Sequence, residues 1–205
     1  DACLRLWRVQ RTAAILLLVA VVPYTCAYGL AYTRVYGEED SRLQAGRWLA
    51  RHTPPGSRVG VEGGGFSLEK TIPGAGFAVE KLEIALLFHT RGYLMCQPAM
   101  RHLRERVARM DYFGLIDINR YRQFTSVPQW YPVVADFYLK LAAGDLGFAE
   151  ITRFKTYPSL GGIEFKDDRA DLGYIGIDHP AVLVFRRLDA EEMTRAWQDW
   201  GRGLW

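Results

Sequence analysis

From Thr12 to Tyr32 the chain carries no charged residue, and most of the stretch is Leu, Ile, Val and Ala. As a helix rising 1.5 Å per residue it would reach roughly 31 Å, the thickness of a bilayer's hydrocarbon core. Pro23 and Gly29 fall inside it, and both residue types are tolerated in membrane helices. Tyr24, Tyr28, Tyr32 and Tyr36 recur at every fourth position toward the far end, and the last two are expected at the water interface. Arg5, Arg8 and Arg11 precede the run, whereas Glu38, Glu39 and Asp40 follow it with only Arg34 between. That asymmetry predicts a cytoplasmic N-terminus and an extracytoplasmic remainder, periplasmic or extracellular. A signal peptide shares the basic start and apolar core, but its core is usually shorter and a small-residue cleavage site follows. Ala27-Tyr28-Gly29 offers only a partial match to such a site. The expected organisation is therefore a cytoplasmic basic flank (1–11), one transmembrane helix (12–32), a linker (33–40) and an α/β domain (41–205).

Within the domain the patterning alternates between helix and strand periods. Ser41, with Gln44 three residues on, reads as a capping box opening a helix, and Ala45, Trp48, Leu49 and His52 share a face before Pro54-Pro55-Gly56 ends it. Ser57–Glu62 predicts a short buried strand, followed by a sharp turn at Gly63-Gly64-Gly65. Residues 66–97 are ambiguous: Lys81–His89 is apolar enough for either helix or strand. Pro98–Met110 predicts a helix with Leu103, Val107 and Met110 on one face and arginines on the other. Tyr112–Ile118 is a continuous apolar run, expected to be a central strand. Tyr131-Pro132 opens a helix that turns Val134, Phe137, Tyr138 and Leu141 inward, with Gly144 at its end. Gly147–Thr156 alternates as a half-exposed strand, Leu160–Phe165 suggests another, and Ala181–Arg186 is a compact apolar strand. Asp189 is placed to cap a final helix carrying Met193, Ala196, Trp197 and Trp200. The expected fold class is α/β: one N-terminal transmembrane helix, then a soluble domain with helices packed on a mixed sheet.

Charge changes this picture little. Much of the formal net charge of +3 lies in the arginines before the apolar run, and the remainder is close to neutral. No basic stripe remains to ask for nucleic acid. Of the three cysteines, Cys3 and Cys26 lie at or inside the apolar segment and Cys96 is alone in the domain, so no intradomain disulfide is expected. The chain starts with Asp, which suggests processing or a piece of something longer.

Candidate chemistry is sparse. Gly60-Val61-Glu62-Gly63-Gly64-Gly65 follows a strand as a dinucleotide loop would, yet no GxGxxG can be placed on it. Asp178-His179-Pro180 stands just before the last strand. The aspartate would orient a histidine base, or the trio makes the turn that feeds the strand; the second reading is preferred, because no nucleophile or substrate group accompanies the histidine. His89 and His102 are read in the same way, and His52 as a helix-end residue favoured by the dipole. Glu164, Asp167, Asp168 and Asp171 form an acidic run without a calcium-loop spacing, expected to be a solvated loop. The arginines at 101, 104, 106 and 109 are read as a wet helix face, with lipid phosphate contact as the other option. Glu62, Asp178 and His179 are the candidates for a functional surface; no residue is assigned as catalytic, cofactor-binding or metal-binding.

The order of several motifs carries a family resemblance. Pro128-Gln129-Trp130-Tyr131-Pro132, Phe137-Tyr138-Leu139 and Gly144-Asp145-Leu146-Gly147-Phe148 come first. Phe154-Lys155-Thr156-Tyr157-Pro158, Gly162-Ile163-Glu164-Phe165, Asp167-Asp168 and Asp178 through Phe185 follow. Upstream stand Gln44 to Leu49, Pro54 to Val59, Asp111-Tyr112 and Asn119-Arg120-Tyr121. Together they resemble the last membrane span and extracytoplasmic C-terminal domain of bacterial GT-C membrane glycosyltransferases. These are the polyprenyl- or dolichyl-phosphate-sugar group, similar to protein O-mannosyltransferases and aminoarabinose transferases. The resemblance implies a multi-span enzyme with a lipid-phosphate-linked sugar donor, and a divalent cation is implied by the family alone. It also implies that the acidic catalytic residue lies in an outer loop far upstream, so no catalytic residue is carried over. On this expectation the chain is catalytically silent alone, capping the active site or binding acceptor in the full enzyme. The alternative expectation is a complete single-pass protein, a structural or binding subunit of a membrane complex that docks through Trp197, Trp200 and Trp205. An enzyme in its own right is the least supported class.

Overall fold

The computed structural model describes residues 2–62, 76–82, 84, 93–116 and 121–188. A long helix, α1 (Ala2–Thr33), runs into a 3-10 turn at Arg34–Gly37, and α2 (Ser41–His52) follows. Then come β1 (Arg58–Glu62), β2 (Ala78–Leu82), α3 (Tyr93–Val107), β3 (Tyr112–Ile116), the short α4 (Arg122–Thr125) and α5 (Pro132–Ala143). The last described elements are β4 (Phe148–Phe154), β5 (Ser159–Leu160), β6 (Ile163–Glu164), α6 (Leu172–Asp178) and β7 (Val182–Arg187). They divide into two compact units: Asp1–Glu38 with Tyr157–Asp168, and Glu39–Thr156 with Arg169–Trp205.

The first unit is built on α1. Its most apolar window has a mean hydropathy of 2.0 and no buried residue; Leu16, Leu17, Leu18 and Val19 are each 60–65% exposed. One helix long and apolar enough to cross a membrane thus stands near the N-terminus. Its hydroxyls bond back into the helix: Thr25 Oγ1 donates to Val21 O at 2.8 Å and Thr33 Oγ1 to Leu30 O at 2.7 Å. The other part of this unit is the β5–β6 hairpin, in which Ser159 pairs with Glu164 and Leu160 with Ile163. Gly161 and Gly162 turn it at φ +60° and +84°, where a side chain would be strained. The single strand expected over Leu160–Phe165 is therefore a correction: two glycines with positive φ reverse the chain in its middle.

The second unit is a mixed five-stranded sheet in the order β2-β1-β3-β7-β4. β2, β1 and β3 run parallel, while β7 is antiparallel to both β3 and β4. Alternation along each strand sends side chains to two separate cores. Val59, Val61, Val182 and Val184 meet Ala45 and Leu49 of α2. Phe113, Leu115, Leu183 and Phe185 meet Leu103, Val107, Phe137, Tyr138 and Leu141 of α3 and α5. An α/β arrangement of helices on both faces of a mixed sheet results. Packing is tight at Gly60, where a Cβ would lie 3.0 Å from Phe113 Cδ2 and 3.2 Å from Met110 Cγ, so these side chains would have to give way. Gly144 ends α5 at φ +86°, donating its N–H to Leu141 O, as its sequence position predicts.

Several local expectations change. Asp40, not Ser41, caps α2: its carboxylate accepts from Arg42 N at 2.7 Å. Ser41 is instead the first helical residue, and its buried hydroxyl donates to Pro180 O. Gln44 Nε2 donates to Glu39 O at 2.6 Å, in place of a reciprocal capping box. The helix expected from Pro98 begins at Tyr93 and holds Pro98 inside it, although Leu103, Val107 and Met110 are buried as expected. β2, α4 and α6 are elements that the periodicity did not announce. The Gly63-Gly64-Gly65 turn, most of Lys81–His89 and the helix after Asp189 lie outside the described residues.

Candidate functional site

In a sheet with parallel strands, ligands are most often met beyond the strands' carboxyl ends. Glu62 is the last residue of β1 and therefore stands at that edge. It is 5% exposed, an uncommon depth for a carboxylate. Since Val61 faces α2, the side chain of Glu62 falls on the opposite face, and there the Tyr138 hydroxyl of α5 donates to its Oε1. Tyr138 is itself fully buried, with Tyr121 edge-on at 6.0 Å and Phe124 parallel at 6.4 Å. The carboxylate is thus held at the end of an aromatic wall built from α4, α5 and the residues before them.

The strand register brings the other two candidates to the same edge. Ile116 at the end of β3 pairs with Val182 at the start of β7, so Asp178, His179 and Pro180 arrive where β1 and β3 finish. Asp171 opens α6 by accepting from Gly173 N at 2.9 Å, and Asp178 is its last residue. His179 caps the other end, donating its backbone N–H to Ile175 O at 3.3 Å, and is 1% exposed. Glu62 and His179 are both buried, so the edge combines a buried carboxylate, a phenol and a buried imidazole on elements distant in sequence. Of these groups the phenol and the carboxylate share a hydrogen bond. Among the described residues no group of three His, Cys, Asp or Glu is placed to hold a metal ion.

The acidic run is the solvated stretch expected only in part: Glu164 and Asp171 are exposed, Asp167 and Asp168 half-buried. Tyr28 Oη donates to Asp167 Oδ2 at 3.2 Å and Tyr157 Oη to Asp168 Oδ1 at 3.0 Å, while Asp171 serves as the helix cap. Each of the three carboxylates is engaged by a specific donor, which composition alone does not reveal. Of the arginines expected on a wet helix face, Arg101, Arg104 and Arg109 are exposed, while Arg106 Nε lies 2.5 Å from Glu80 Oε1. His52 ends α2 with Nδ1 2.8 Å from the carbonyl of Trp48, in keeping with its helix-end reading.

A shallow cavity of about 220 Å³ lies between α2 and β4, lined among others by Glu39, Arg47, Trp48, Arg51 and His52. Trp48 and His52 stack at 4.5 Å, and Arg47 pairs with Glu39 at 2.6 Å. The pocket is smaller than a typical small-molecule site.

Many of the motif residues that carry the family resemblance hold the fold together. Asp111 accepts from Arg58 N at 2.9 Å and pairs with Arg187 at 2.7 Å, tying β1, β3 and β7 at their common end. Pro132 starts α5, Gly144–Phe148 makes the turn into β4, and Pro180–Phe185 feeds β7. Neither a protein-family model, nor a curated protein, nor a solved structure matches the chain.

Proposed function

We propose that the chain is the last membrane span and extracytoplasmic domain of a multi-span glycosyltransferase that uses a lipid-linked sugar. The domain carries no catalytic residue on this reading; it caps the active site of the full enzyme and contributes to acceptor binding. α1 crosses the membrane with its N-terminus in the cytoplasm. The observation that carries the anchoring is the long apolar helix whose central side chains are all exposed, since water-exposed leucines in such a row would be costly. The glycosyltransferase assignment rests on the ordered motifs from Gln44 to Phe185. The cavity beside Trp48 is the surface where acceptor contact belongs, because sugar rings stack on aromatic faces and hydrogen-bond to charged rims.

An antibody raised against the α/β unit tests this in native membranes. The expected result is a membrane band far heavier than the 23.4 kDa of this chain, whose membranes transfer labelled sugar from a polyprenyl-phosphate donor. Transfer should fall when residues 41–188 are deleted. A membrane band at the chain's own mass would overturn the enzyme reading and favour a single-pass subunit of a membrane complex. Full transfer after the deletion would remove the capping role.

A further inference from the structure

The tip of the β5–β6 hairpin is an apolar projection that the fold does not cover. Ile163 is 68% exposed and Leu160 is 41% exposed, with only Gly161 and Gly162 between them. The hairpin belongs to the same compact unit as α1, and β5 packs on both α1 and the 3-10 turn. Its position along α1 is set by Phe165, which meets Tyr24 edge-on at 6.2 Å and Tyr28 at 5.8 Å. The Tyr28–Asp167 hydrogen bond fixes the same level. Tyr28 and Tyr24 precede Tyr32, near the end of the uncharged run, by about one and two helical turns, or roughly 6 and 12 Å. The base of the hairpin therefore lies alongside the outer part of the apolar run, and β5 reaches the level of the 3-10 turn just past it.

We propose that this hairpin is a second membrane contact: Leu160 and Ile163 enter the headgroup–acyl boundary of the leaflet at the C-terminal end of α1. This rests on the reading of α1 as a span. The occupant follows from continuity, because the tip extends the lipid-facing surface of the helix against which the hairpin packs. Exposed apolar residues at that level meet lipid, as tyrosines of an interfacial belt do. Glu164 and Lys166, both exposed, flank the tip and keep the insertion shallow. Two attachment points would restrict the rotation of the anchor about its own axis.

The test uses the full chain with Cys3, Cys26 and Cys96 each replaced by alanine, reconstituted into phosphatidylethanolamine–phosphatidylglycerol vesicles. An environment-sensitive fluorophore is placed at Ile163→Cys and, separately, at Leu18→Cys. The expected result is quenching of the Ile163→Cys label by lipid spin-labelled near the top of its acyl chain, with little quenching by aqueous iodide. The Leu18→Cys label should be quenched by lipid spin-labelled deep in the chain. Deep quenching at Leu18→Cys with iodide quenching at Ile163→Cys overturns the hairpin contact and leaves the span intact. Iodide quenching at both overturns the span, and the hairpin contact with it. Because the fluorophore is itself apolar, the bare thiol gives a second reading. Ile163→Cys should react with a membrane-impermeant maleimide more slowly than Asp145→Cys, which is exposed in the α/β unit; equal rates overturn the proposal.

Discussion

Tyr138 joins a buried acid to the aromatic wall of α5 through one hydroxyl. Its ring would be equally at home as phenylalanine among Phe124, Phe137 and Tyr121, so the oxygen is present for Glu62. Removing one partner of a buried polar pair leaves the other with the desolvation cost it had offset. Tyr138→Phe should therefore lower the unfolding free energy of the α/β unit by about 1–3 kcal/mol. Urea titration of the detergent-solubilised chain, followed by tryptophan emission, reads this directly. An unchanged midpoint would mean that Glu62 is satisfied without the phenol. Neither residue type nor spacing predicts this pair, because the two are separated by 76 positions along the chain.

α2 shows how one element depends on its first residues. Burial pushes the Asp40 carboxyl up, but the Arg42 side chain and backbone N–H bonds, with the guanidinium charge, outweigh it and hold it below its ordinary value. A depressed carboxylate stabilises the fold above its unfolded pKa, and the contribution is lost as pH falls through the lower folded value. Acid weakening of the α2 cap should thus begin below about pH 4 and continue downward. Asp40→Asn keeps a capping oxygen but cannot titrate, so its urea midpoint should fall less between neutral pH and about pH 3 than the parent's. Parallel acid limbs for the two proteins would show that Asp40 is not a contributor. Ser41 lost the cap position because Asp40 accepts from Arg42 N while the Ser41 hydroxyl is drawn to Pro180 O.

At the scale of the whole molecule, α1 is long and apolar enough to cross a membrane, and the proposed span is open to a direct test. A charge at the middle of a membrane helix costs about 2.5–3.5 kcal/mol on insertion scales. Leu17→Arg combined with Leu18→Arg should shift the chain out of the carbonate-resistant membrane fraction. Retention equal to the parent's would argue that α1 does not cross a bilayer. The two compact units also matter here, because residues 157–168 join α1 although the sequence places them inside the α/β domain.

Patterns of short range were legible in the residues themselves. The uncharged run, the inward face of α5 with its terminal Gly144, and the apolar β7 each follow from a local period and a local steric demand. Mixed-sheet architecture followed as a class, because alternating elements with apolar faces have few ways to bury them. The choice among equal local options needed the tertiary structure. Asp167 and Asp168 look like a solvated acidic loop until Tyr28 and Tyr157 reach them. Leu160–Phe165 looks like one strand until Gly161 and Gly162 take positive φ and Phe165 finds α1. Glu62 and His179 come to one edge only through the pairing of β3 with β7. For Asp167, Phe165 and the sheet edge the deciding partner lies far along the chain, and hydrogen-bond donors and ring faces carry no periodicity by which their partners can be read.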